Sequence, residues 1–135
     1  MNNSKVFVLD TSAWLTLIED EQGAERVEAV LTHNHCYLPF PVLMEVYYIS
    51  LQEQGQEVAD KRYAMMLHSG AEVLWNIDEP LLLTAARLKA KHRISLGDAL
   101  IAAFAARHSA ILLHKDPEYE QISNQVILEA LPYKR

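Results

Sequence analysis

Two short apolar runs set the frame of this chain: Val6-Phe7-Val8-Leu9 near its start and Ala110-Ile111-Leu112-Leu113 near its end. Four consecutive apolar residues without polar alternation suit a strand covered on both faces, the setting of a parallel sheet. Cys36-Tyr37-Leu38, Val73-Leu74-Trp75 and Val126-Ile127-Leu128 read as further strands. Helical stretches separate them at residues 11–20, 24–31, 41–53, 56–68, 79–92 and 95–107, with Gly23, Gly55, Gly70 and the prolines at 39, 41 and 80 as punctuation. Strands alternating with helices predict an α/β fold: a central, mostly parallel sheet of four to five strands joined by right-handed crossovers. The stretch 95–107 has almost no polar face and is expected at the centre of the fold. In 79–92, Leu82, Leu83, Ala86 and Leu88 to Ala90 are expected to point inward.

At 135 residues the chain is expected to form a single domain over 1–135, large enough for a core without covalent staples. Cys36 is the only cysteine, which excludes an internal disulfide and paired-cysteine metal sites and suits a reducing, cytoplasmic setting. Cys36 itself reads as a small buried hydrophobe. No secretory leader is visible. The longest apolar run, 99–106, falls far short of the roughly 20 residues of a membrane span, so a soluble protein is expected. The six histidines show no ligand spacing and read as surface or helix-end residues. The net charge of −6 argues against a general nucleic-acid coat protein. An acidic total misleads, however, when carboxylates gather around a cation that inverts the local field.

Four acids stand at chain breaks or helix starts: Asp10, Glu45, Asp98 and Asp116. Each has a structural explanation. Asp10 can cap the next helix, Glu45 lies early in its helix, Ser95-Leu96-Gly97-Asp98 has capping-box spacing, and Asp116-Pro117 suits a helix start. Their joint placement is harder to explain that way. Asp10 and Asp116 both end apolar strands, so adjacent strands bring them to one rim, where open α/β sheets place ligands. Carboxylates converging in one cleft repel unless a cation holds them. An all-oxygen, sulfur-free site suits Mg²⁺ or Mn²⁺, and the chemistry such a site supports is phosphodiester hydrolysis.

The segments Leu9-Asp10-Thr11-Ser12, Pro41-Val42-Leu43-Met44-Glu45-Val46, Ser95-Leu96-Gly97-Asp98-Ala99-Leu100-Ile101-Ala102 and Leu113-His114-Lys115-Asp116-Pro117-Glu118-Tyr119 resemble, in order and spacing, the motifs of PIN domains. The resemblance covers nearly the whole chain, whose length is similar to that of VapC-type toxins of toxin–antitoxin pairs. It implies a Rossmann-like three-layer sandwich with helices on both sheet faces, and a Mg²⁺- or Mn²⁺-dependent endoribonuclease. It further implies a homodimer, RNA as substrate and a cognate antitoxin protein as partner. Carried over by position, the catalytic acids are Asp10, Glu45, Asp98 and Asp116. Asp10, Asp98 and Asp116 hold the metal, and Glu45 completes the cage or positions the attacking water. Two residues before the last acid, where the family commonly has Thr or Ser, this chain has His114. Thr11 and Ser12 keep hydroxyls beside Asp10 that can orient it.

Arg87, Lys89, Lys91, His92 and Arg93 form a basic cluster just ahead of Ser95. It reads either as a solvated helix end matched to the dipole or as phosphate-positioning groups, with Lys89, Lys91, Arg93 and also Lys115 as RNA phosphate contacts. Trp14, Tyr47 and Tyr48 read as core or dimer contacts. Against the ribonuclease stand a non-catalytic PIN-like module that binds RNA or protein, a housekeeping PIN ribonuclease, and a phosphoacceptor receiver domain. The last wants a pair of acids after the first strand, where Asp10 stands alone.

Overall fold

The apolar run 6–9 does form a strand, and it is the centre of the sheet. In the computed structural model, which describes residues 5–134, β1 (Val6–Leu9) is followed by α1 (Thr11–Ile18), α2 (Ala24–His33) and β2 (His35–Pro39). Next come α3 (Phe40–Gln54), α4 (Gln56–Leu67), β3 (Glu72–Leu74), α5 (Glu79–Lys91) and α6 (Leu96–Arg107). The chain closes with β4 (Ile111–His114), a 3₁₀ turn at Pro117–Ile122 and β5 (Ile127–Ala130).

The strand order is β3-β2-β1-β4-β5 and every neighbouring pair is parallel. From β1 the chain steps outward to β2 and β3, then returns across the sheet to add β4 on the other side of β1. Right-handed crossovers in opposite directions put the connecting helices on opposite faces. The reversal falls between β1 and β4, and the crevice outside their carboxyl ends is the usual place for a ligand in such sheets. The register pairs Leu9 with Leu113, and the Asp10 N–H donates to the Leu113 carbonyl at 3.1 Å. Asp10 therefore leaves the sheet level with His114.

Phe7, Val8, Leu9, Leu38, Leu112 and Leu113 are fully buried, as a doubly covered sheet requires. Each such side chain contributes roughly 1.5–3 kcal/mol of burial free energy, which fixes the strand ends rigidly. Helix α6 lies where its composition placed it, with Ala99 and Ile101 to Ala105 buried. Helix α5 does not follow expectation. Leu82 and Leu83 are exposed, as are Ala86 and Ala90, and the buried stripe is Leu81, Ala85 and Leu88. The i, i+4, i+7 set that faces α6 wins over the larger but less regular run of leucines. Trp14 is fully buried, Tyr47 is half-buried with its hydroxyl donating to Asp60, and Tyr48 is exposed. Cys36 is buried, and burial pushes its thiol up to about 11. No helix among the described residues is long and apolar enough to cross a membrane.

Candidate active site

Each of the four acids is delivered by a different segment, and local backbone chemistry explains each placement. Asp10 ends β1 and is the N-cap of α1: its Oδ1 accepts from the Ala13 N–H at 2.8 Å and from the Ser12 hydroxyl at 2.6 Å. Asp98 sits in the first turn of α6, whose N-cap Ser95 accepts the Asp98 N–H at 3.0 Å. Of the capping box, this half forms; the Asp98 carboxylate accepts instead from the Tyr119 hydroxyl at 3.1 Å. Asp116 caps the 3₁₀ turn, accepting the Glu118 N–H at 2.9 Å. Glu45 lies in the second turn of α3 and accepts from the Thr11 hydroxyl. The structural explanations of these acids are thus largely correct, and they coexist with the convergence.

The convergence shows in the electrostatics. Burial, aided by the charges of Asp98 and Asp116, pushes the Asp10 carboxyl from 3.8 up to about 7, against the lowering effect of its bonds from Ser12 and Ala13. Burial also pushes Asp98 up to about 6, with Asp116 and Glu45 raising it further and the Tyr119 bond opposing. Ligand oxygens of Asp98, Asp116 and Glu118 all lie within 4.8 Å of one another. Asp10 and Glu45 stand outside that set; an all-oxygen cluster that includes the reluctant Asp98, with Asp10 near enough to feel Asp98 and Asp116, fits a hard divalent cation, which would relieve the repulsion directly.

Of the two hydroxyls expected beside Asp10, Ser12 bonds it, whereas Thr11 bonds Glu45 instead. Ser12 Oγ donates to Asp10 and also accepts the Lys115 N–H at 2.9 Å, so one hydroxyl ties the end of β1 to the chain leaving β4. His114 departs from the surface placement expected of the histidines: it is 1% exposed. Its Nδ1 accepts the Asp116 N–H at 3.2 Å, and its ring packs edge-on against Tyr119 with centroids 5.1 Å apart. Burial lowers its pKa, so the ring is neutral with the proton on Nε2, which has no hydrogen-bond partner. Histidine here holds the Asp116 main chain, while the hydroxyls on Asp10 and Glu45 come from the start of α1.

Two contributors carry signals that the sequence alone did not reveal as functional. Tyr119 is fully buried and touches Asp98, and the charges of Asp10, Asp98 and Glu45 all bear on its hydroxyl. Gly97 lies so close to Glu45 that a Cβ there would collide with the Glu45 Oε2. Both act across elements, and only the spacing of the Gly97-Asp98 and Asp116-to-Tyr119 segments hinted at them. Of the four residues read as phosphate contacts, Lys115 has its ammonium engaged by the Gln22 carbonyl at 2.9 Å and by Glu21 at 3.7 Å. Lys89 donates to the Ile94 carbonyl at 2.9 Å, while Lys91 and Arg93 are exposed.

Comparison with known proteins agrees with this fold. Among curated relatives, the VapC ribonuclease Mb1587 of Mycobacterium bovis and ribonuclease VapC11 of Mycobacterium tuberculosis are each 25% identical over 140 residues, covering 96% of this chain and 100% of the relative. Among solved structures, VapBC2 of Rickettsia felis, bound to a DNA fragment from its promoter, superposes with a TM-score of 0.77 at 19% identity, covering 94% of this chain and 99% of that one. The sarcin–ricin-loop-cleaving toxin VapC20 of Mycobacterium tuberculosis superposes with a TM-score of 0.74 at 16% identity, covering 95% and 100%. The PIN domain model matches residues 7–125, from the first strand to the turn before the last, and the chain belongs to the PIN domain family.

Proposed function

We propose that this protein is a divalent-metal-dependent endoribonuclease and the toxin of a type II toxin–antitoxin pair. The observation that carries the reading is the meeting of Asp10, Glu45, Asp98 and Asp116 at the β1/β4 crevice, with Asp10 and Asp98 held as weak acids by burial and by the charges of neighbouring acids. The names of the curated relatives support a ribonuclease, and the toxin–antitoxin complexes among its structural neighbours support a protein antitoxin.

Asp10, Asp98 and Asp116 would hold Mg²⁺ or Mn²⁺, and Glu118, which shares the tight oxygen cluster with Asp98 and Asp116, is a further candidate ligand. When bound, the ion neutralises charge on the transferring phosphate and acidifies the attacking water. The chain's own residues do the rest. Ser12 fixes the Asp10 carboxylate, Tyr119 fixes Asp98, and His114 fixes the backbone from which Asp116 projects. Glu45, steered by Thr11 and wedged against Gly97, positions the water or completes the cage. The protein works in the cytoplasm as a homodimer; exposed Met44, Tyr48 and Leu51 on one side of α3 support a self-association or antitoxin face.

Incubating total RNA with Mg²⁺, with Mn²⁺ and with chelator tests the reading. Cleavage with metal, none with chelator, and none in Asp98→Asn are expected. Full cleavage by Asp98→Asn would overturn the assignment, and no cleavage under any condition would leave the non-catalytic module as the better reading. A small neighbouring gene whose product co-purifies with this chain and blocks cleavage is the expected antitoxin.

A further inference from the structure

The charge of this chain is divided unevenly. Between Glu79 and Asp116 the only acid is Asp98, while Arg87, Lys89, Lys91, Arg93, Arg107 and Lys115 all fall in that interval; the remaining sequence holds six Lys or Arg against 17 Asp or Glu. The α5–α6 hairpin is therefore a basic island on an acidic protein. Elsewhere the cations are mostly committed: Arg26, Lys61, Arg62 and Lys134, with Lys115, are in ion pairs. The side chains of Arg87, Lys91, His92 and Arg93 have no hydrogen-bond or ion-pair partner among the described residues.

A helix-capping role does not account for them. Among the described residues none of their side chains bonds a carbonyl in the last turn of α5, and Lys89 reaches past the helix to the Ile94 carbonyl. Arg87, Lys91 and His92 instead line a cavity of about 200 Å³, together with Thr84 and Gln125, over an apolar floor of Leu88 and Ala106. Cationic donors around an apolar floor are the requirements of a nucleotide: a phosphate for the charges and a base or sugar face for the floor.

The cavity is also joined to the acidic centre. Gln121 accepts the Arg93 N–H at 2.9 Å and donates both to the Arg93 carbonyl and, at 2.9 Å, to the Glu118 carbonyl. Glu118 in turn belongs to the oxygen cluster with Asp98 and Asp116. Arg93, the neighbour of the cavity-lining His92, is thus tied through Gln121 to the turn that carries Glu118.

We propose that the cavity at the end of α5 is a non-catalytic phosphate subsite, built from Arg87, Lys91 and His92, which grips the backbone of single-stranded RNA a few nucleotides from the bond at the acidic centre. The subsite rests on the ribonuclease reading and gives it a substrate track. It offsets, at one place, the repulsion between an acidic protein and a polyanion, and it makes binding dependent on backbone rather than base identity.

The test uses the full chain in chelator and a fluorescein-labelled single-stranded RNA of about twelve nucleotides, with anisotropy read from about 50 to 200 mM KCl. In Arg87→Gln/Lys91→Gln the slope of log K against log salt should shrink by about 1.4, the loss of two single-strand phosphate contacts, and affinity should fall at least about fivefold. Arg87→Lys/Lys91→Arg should keep the wild-type slope. Lys61→Gln, which removes an exposed cation from α4, should leave it unchanged. Equal slopes in wild type and Arg87→Gln/Lys91→Gln, or an equal loss in Lys61→Gln, would overturn the subsite. Hydrolysis of bis(p-nitrophenyl) phosphate with Mn²⁺, a substrate too short to reach the cavity, should proceed at the wild-type rate in the double Gln variant. A slope change without any metal-dependent RNA cleavage by wild type would strike the ribonuclease reading and leave the binding site standing. Cleavage with an unchanged slope would do the reverse.

Discussion

Asp10 does two jobs that pull against each other. As an N-cap it stabilises α1, and as a buried carboxylate facing Asp98 and Asp116 it destabilises the metal-free protein. Its folded pKa of about 7 lies above the ordinary 3.8. The folded form therefore holds the proton more tightly, and the stability linked to this group is complete below pH 3.8 and lost as pH rises through about 7. Asparagine keeps the capping oxygen and cannot ionise. Asp10→Asn should thus melt several degrees higher than wild type in chelator at pH 8, on the order of 2 kcal/mol, with the difference vanishing near pH 4. A lower melting temperature at pH 8 would mean that the carboxylate is a structural cap and nothing more. Gly97 offers the complementary case. A methyl there favours the helix yet displaces the Glu45 carboxylate, so Gly97→Ala should keep or slightly raise the melting temperature while RNA cleavage falls at least about tenfold. Unaltered cleavage would show that Glu45 is free to move without consequence. Tyr119→Phe should weaken the hold on Asp98 and reduce metal affinity, read by titration calorimetry, with the fold intact because the ring stays buried.

At the scale of elements, the sheet was legible because its signal is local. The runs 6–9 and 110–113 are uninterrupted apolar segments, and both became central strands, β4 extending one residue further to His114. Leu112→Ala, in the heart of that pair, should cost about 2–5 kcal/mol by chemical denaturation. A cost under about 1 kcal/mol would contradict the packing described for β1 and β4. The face of α5 was not legible, because Leu81, Leu82, Leu83 and Leu88 allow more than one stripe and the choice is made by α6. His114 escaped for a related reason: a histidine ending a strand looks like a surface residue until Tyr119 and the Asp116 backbone close over it. The acids were legible in the opposite way, each explicable alone and collectively costly. The positioning groups Gly97 and Tyr119 act only through partners in other elements, which spacing along one chain does not encode.

For the molecule as a whole, metal binding and stability are one equilibrium. A cation taken up by the folded acids and not by the unfolded chain should raise the melting temperature, with a gain of about 2.7 kcal/mol at a hundredfold excess over its dissociation constant. Differential scanning calorimetry with and without Mn²⁺ reads this directly, and Asp98→Asn should blunt the gain; an equal gain in that variant would place the ion elsewhere. The Ser12 hydroxyl that bonds both Asp10 and the Lys115 N–H bridges positions 103 residues apart. The central pairing of β1 with β4 is as distant, so the crevice closes last as the chain is made. A polypeptide still emerging from the ribosome holds Asp10, Glu45 and even Asp98 long before Asp116 can join them. Synthesis itself therefore imposes an order: a chain interrupted before Asp116 carries three of the four acids and cannot bring them together with the fourth.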